Sequence, residues 1–184
     1  MRRLLAALCL AALAPGAAAS GSDLVRWGQG DLRVMIFTKV YSATLCAPPD
    51  VSPGGLLEPG VPKRLELVYH HPVERDLFER AAREVLVRQR GEAAVADLEP
   101  LLERFHQALV DVDEGDRYAL EYHPGEGTEL RLNGEPRVTL EDPAFARAYF
   151  GIWLAEDPIS RGLKQDLFAN IIESDDANRE PPPC

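Results

Sequence analysis

The spacing of apolar residues changes period along this chain, and that change limits the folds open to it. In "KRLELVY" (63–69) apolar residues alternate, with Leu65, Leu67 and Tyr69 on one face, as in a half-buried β-strand. The next stretch, "PVERDLFERAAREVLVRQR", repeats Leu77, Phe78, Ala81, Ala82, Val85 and Leu86 at intervals of three and four, the stripe of an amphipathic helix covering a sheet. Pro72 stands at or just before its start, where a helix tolerates it. A second helical stripe runs through Leu98, Leu101, Leu102, Phe105 and Leu109. Pro100 belongs to its first turn, because an interior proline costs about 3 kcal/mol. After the turn "DVDEGD", the segments "RYALEYH", "TELRLN" and "PRVTLE" read as three short strands joined by "PGEG" and by Asn133–Gly134, a strong hairpin signal. "DPAFARAYFGIWLA" begins with an aspartate cap and a proline and continues as an apolar helix, and "ISRGLKQDLFANII" is a last helix. Strands, two helices, strands and two helices imply an α+β domain with its helices gathered on one face of an antiparallel sheet.

The ends of the chain stand outside that pattern. "MRR", the short apolar core "LLAALCLAALA" and the small residues at 17–19 predict a secretory signal peptide over 1–19. Residues 20–172 are expected to form one domain, followed by a polar acidic tail over 173–184. Export is therefore the expected localisation, periplasmic or secreted, with no membrane span in the mature chain. The 30 acidic residues outnumber 20 basic ones, two of which, Arg2 and Arg3, lie in the leader. That balance argues against nucleic acid and anionic membrane surfaces as partners. Cys9 leaves with the leader, so Cys46 and Cys184 remain as an even pair in a compartment that permits disulfides. They either bridge one another, stay free or pair between chains.

The segment "GQGDLRVMIFTKVYSATL" (28–45) carries the most unusual residues. As a single strand it places Arg33, Met35, Phe37, Lys39, Tyr41, Ala43 and Leu45 on one side. Neither side is cleanly polar, which suggests a strand covered on both faces. An arginine in such a strand either meets a ligand, snorkels to water from the strand end, or pairs with an internal acid such as Asp31 or Glu66. On an unbroken strand Arg33 and Tyr41 stand about 26 Å apart, and no glycine, proline or asparagine between them signals a turn.

Four blocks, "GQGDLRVMIFTKVYSATLCAP", "LELVYHHPV", "DVDEGDRYALEYHPGEGTELRLNGEP" and "DPAFARAYFGIWLAEDPIS", resemble in order the bacterial exported chalcone isomerase-like proteins. The resemblance implies the chalcone isomerase fold: a large antiparallel sheet with a layer of helices on one face, an open-faced sandwich with a cleft between the layers. Proteins of this fold include enzymes that close chalcones to flavanones, fatty-acid binders and members without catalysis, so fold alone does not fix activity. By the same resemblance Arg33 in "GQGDLR" matches an arginine that contacts a ligand's anionic or carbonyl oxygen. Tyr41 stands where the plant enzymes carry a ketone-polarising threonine, a departure that weighs against ring closure. Three readings follow. The first is non-catalytic binding of a fatty acid or similar apolar acid, its carboxylate paired with Arg33. The second is an isomerase in which Arg33 and Tyr41 stabilise an enolate. The third is a protein-interaction module of unknown partner, hinted at by the acidic surface and tail.

No cofactor and no metal is expected. His70 and His71 are adjacent and face opposite sides of a strand, which makes a poor chelating pair. His106 and His123 are isolated and are expected to be solvated or hydrogen-bonded, and "DVDEGD" lacks the spacing of a calcium loop. Phe150 and Trp153 in "FGIWL" are read as helix packing.

Overall fold

The computed structural model describes residues 24–34 and 38–173, with Pro182 and Cys184. The leader expected over 1–19 and most of the tail lie outside the described residues. Six strands form one antiparallel sheet in sequence order: β1 (Val25–Val34), β2 (Thr38–Ala47), β3 (Lys63–Tyr69), β4 (Arg117–His123), β5 (Gly127–Leu132) and β6 (Glu135–Leu140). Between β3 and β4 the chain forms α1 (Arg75–Arg90), α2 (Glu92–Ala96) and α3 (Glu99–Gln107). After β6 come α4 (Pro143–Leu154), α5 (Arg161–Leu167) and α6 (Ala169–Glu173). The helices cover one face of the sheet, giving the α+β open-faced sandwich.

The segment 28–45 is not one strand. The chain reverses between Val34 and Thr38, and β1 pairs with β2 in the register Gly30↔Ala43 and Leu32↔Tyr41. Met35 and Phe37 lie outside the described residues. An unbroken apolar run conceals the reversal because each strand contributes its own covered face, and only length betrays it, since strands seldom exceed about ten residues. The face of the hairpin away from the helices is polar, carrying Gln29, Asp31, Ser42 and Thr44 opposite one another. The expectation of a strand covered on both sides is corrected accordingly.

Two glycines allow β1 to be covered closely. A Cβ on Gly28 would stand 2.1 Å from the Asp166 carbonyl oxygen, and one on Gly30 would stand 2.5 Å from the Asp166 Cβ. The backbone of α5 can rest on β1 only because both side chains are absent. The expected last helix is two: it breaks at Phe168, whose ring meets Trp27 edge-on at 5.7 Å. The short α2 follows Gly91, whose φ of +81° ends α1 in a conformation that favours glycine. Asp142 caps α4 by accepting from the Phe145 N–H at 2.7 Å, as "DPAF" predicts. Asn133 (φ 52°) and Gly134 (φ 88°) make the left-handed corner of the β5–β6 hairpin.

The core lies between sheet and helices, where Leu45 and Leu65 of the strands and Leu86, Phe105 and Phe145 of the helices are almost wholly buried. On the opposite face of β3 and β4, Arg64 pairs with Glu66 (2.6 Å) and Glu121 (3.2 Å), and Arg117 reaches Glu66 at 3.5 Å. Such charges are well placed against water, so that face needs no second layer. A disulfide joins Cys46 to Cys184 with their Cα atoms 6.1 Å apart, and the Arg26 N–H donates to the Pro182 carbonyl at 2.8 Å. The end of the chain is thereby tied to β1 and β2.

Candidate functional site

A cavity of about 460 Å³ lies between sheet and helices. Its floor is built by β1–β5, through residues such as Leu32, Tyr41, Leu67, Tyr69 and Tyr118. Its roof comes from α1, α3 and α4, through Phe78, Ala81, Ala82, Phe105, Tyr149 and Trp153. The space exists because α1 presents alanines at 81 and 82, where longer side chains on the same stripe would reach the floor. The mouth is marked by Val34 and Leu77, large apolar residues that are 50% and 47% exposed. Leu77, expected on the buried stripe of α1, is corrected to a rim residue.

Four tyrosines supply nearly all the hydroxyls of an otherwise apolar wall. Burial pushes the phenols of Tyr41, Tyr69, Tyr118 and Tyr149 upward, so all remain protonated. They are donors and not bases. The Tyr41 oxygen accepts from the Trp153 indole N–H at 2.8 Å, which leaves its own proton to donate elsewhere. The Tyr118 hydroxyl is engaged at the backbone of Val110, accepting from its N–H at 2.9 Å and donating to its carbonyl at 3.3 Å. Of these four tyrosines the sequence reading singled out Tyr41 alone. Trp153, assigned to packing, both lines the cavity and orients Tyr41. The available signal was Tyr149 and Trp153, four apart on one helix face.

Arg33 and Tyr41 line the same cavity, because the hairpin folds them onto neighbouring strands. The 26 Å separation expected of an unbroken strand is thus corrected. Arg33 is not a buried guanidinium, however. Its side chain is 53% exposed at the mouth and its Nη2 donates to Asp31 Oδ2 at 3.0 Å. Glu66, the other acid considered, is occupied by Arg64 and Arg117.

Asp31 is the centre of a small polar cluster beside the mouth. Its Oδ1 takes Lys39 Nζ at 2.8 Å and the Ser42 hydroxyl at 3.1 Å. Partial burial opposes its charge, but the hydrogen bonds from Lys39, Ser42 and Arg33 hold the carboxyl below its ordinary value. Ser42 Oγ also lies 2.8 Å from His70 Nε2. Because the ionised Asp31 can only accept, Ser42 donates to it, and His70 must then donate to Ser42. A serine arranged so is not activated by the histidine, and the trio lacks the geometry of a nucleophile and its base.

Among the described residues, no group of three or more His, Cys, Asp or Glu is placed to hold a metal ion. His106, expected to be solvated or hydrogen-bonded, is instead buried beside Phe105 and Tyr149 with its Nε2 unpartnered. Burial pushes its imidazole below the ordinary value, toward the neutral form. No helix among the described residues is long and apolar enough to cross a membrane.

Comparison with known proteins adds two findings. The family model described as chalcone isomerase-like matches residues 11–169. Among solved structures, a fatty-acid binding protein of Arabidopsis thaliana superposes with a TM-score of 0.65 at 14% identity, covering 84% of this chain and 91% of that one. At that identity the likeness is one of fold. No curated protein sequence matches.

Proposed function

The chain belongs to the chalcone isomerase-like family, and from that premise we propose that it is an exported, non-catalytic binder of an apolar acid of fatty-acid type. The observation that carries this reading is an apolar cavity with tyrosine donors inside it and a cation at its mouth. At about 30 Å³ for each water-sized group, its volume suits roughly fifteen non-hydrogen atoms, the size of laurate. An acyl chain would lie against Leu67, Leu120 and Phe105, while its carboxylate meets Arg33 at the rim. The ligand named for the Arabidopsis neighbour supports the same class of occupant. Export is supported by the leader-like N-terminal sequence and by the Cys46–Cys184 bridge, which persists best in an oxidising compartment.

Binding is favoured over ring closure because Tyr41 stands where the family resemblance places the enzymes' ketone-polarising threonine. Native mass spectrometry of the purified protein, followed by titration with laurate, tests the proposal. A co-purifying acyl acid or saturable binding of laurate supports it. An empty cavity that takes up no fatty acid, or turnover of a chalcone that depends on Arg33, overturns it.

A further inference from the structure

Building on the reading of an anionic ligand at the mouth, we propose that Asp31 is an internal stand-in for the ligand's carboxylate, from which Arg33 is transferred to the incoming acid. Arg33 lines the cavity mouth, yet its guanidinium rests on Asp31 Oδ2. The two residues are i and i+2 on β1, and Arg33 stands near the end of the hairpin, where a long side chain reaches either the polar face or the mouth. The distribution of partners over the two Asp31 oxygens makes the transfer inexpensive. Lys39 and Ser42 both bind Oδ1, whereas Arg33 binds Oδ2. Departure of Arg33 leaves Oδ1 fully engaged and returns Oδ2 to water, since the Asp31 side chain is 26% exposed.

An exposed ion pair of this kind contributes little to stability. A carboxylate held at the rim of an apolar cavity, offering two oxygens to one guanidinium, is the better partner. Asp31 thereby sets a threshold that selects for charge. A neutral head group cannot compete for Arg33, and an anionic one can. Asp31 is a specificity-determining residue that acts through Arg33 and does not itself touch the ligand.

The test measures affinities for laurate and for lauryl alcohol in the full-length wild type, Asp31→Asn, Arg33→Met and the double variant. Asp31→Asn is expected to tighten laurate roughly three- to tenfold, because it removes the competing negative charge and leaves only a neutral, weaker acceptor. It should leave lauryl alcohol unchanged and have no effect on laurate once Arg33 is methionine. Unchanged or weaker laurate binding by Asp31→Asn overturns the transfer, as does equal tightening in the Arg33→Met background, which would be a bulk charge effect. If the wild type does not bind laurate, or Arg33→Met binds it as tightly as the wild type, the underlying site reading falls and the transfer falls with it. NMR of the wild type gives an answer independent of any variant's folding: the Asp31 carboxyl carbon shifts as laurate is added, and an unmoved signal overturns the proposal.

Discussion

The indole N–H of Trp153 donates to the hydroxyl of Tyr41 across 2.8 Å, a buried bond between residues 112 apart in sequence that ties α4 to β2 over the cavity. Each partner is correctly satisfied only while the other is present. Tyr41→Phe leaves a buried indole donor unpaired and is expected to cost about 1–3 kcal/mol in thermal or chemical denaturation. The double variant with Trp153→Phe should cost less than the sum of the two single changes, because the orphaned group is then absent. Strict additivity would show that the bond contributes nothing.

Filling the cavity should separate binding from folding. Ala81→Leu places three more carbons in existing space, so laurate affinity is expected to fall by roughly tenfold or more while the melting temperature holds or rises. Calorimetric titration beside a thermal melt reads both. A variant that binds normally would place the ligand elsewhere.

Lys63 offers a pH-dependent signature remote from the site. It is 2% exposed, with Nζ 4.3 Å from the Tyr122 ring centre and 3.4 Å from the Glu58 carbonyl, and burial pushes its amine down to about 8. The unfolded chain, with an ordinary lysine near 10.5, binds more protons than the fold between those values, so this group's contribution to stability rises as pH climbs from about 8 to 10.5. Below about 8 the charged form carries its full cost, on the order of 3 kcal/mol. Lys63→Met is therefore expected to stabilise the protein at neutral pH, with the advantage shrinking above pH ~9. Urea titrations of both proteins across that range check the sign, and a methionine advantage that grows with pH would refute it.

The Cys46–Cys184 bridge closes a loop across 138 residues of sequence. Reduction, or Cys184→Ser, is expected to lower unfolding stability by about 2–5 kcal/mol and to leave laurate affinity within a factor of roughly two, because neither cysteine lines the cavity. Denaturation with and without a reductant measures the first effect and titration the second.

Much of the architecture was legible before any coordinates. The alternation in "KRLELVY", the stripe of α1, the Asn133–Gly134 corner and the Asp142 cap are local signals, and each one decides its element within a few residues. The site was less legible. Arg33 and Tyr41 could be named as candidates, but their placement on one strand put them far apart. Tyr69, Tyr118, Tyr149 and Trp153 went unrecognised because an aromatic residue facing a cavity and one facing a filled core have the same periodicity.

The sequence by itself determined the strand or helix character of most segments and the apolar faces of β3 and α3, because those properties repeat along the chain. It also placed Cys46, Cys184 and the excess of acidic charge. Only the tertiary structure decided that the chain reverses after Val34, that Arg33 rests on Asp31 at a cavity mouth, and that Trp153 orients Tyr41. Periodicity records what a residue faces within its own element. A cavity and its donors depend on which elements meet, and in this protein they meet across more than half the chain.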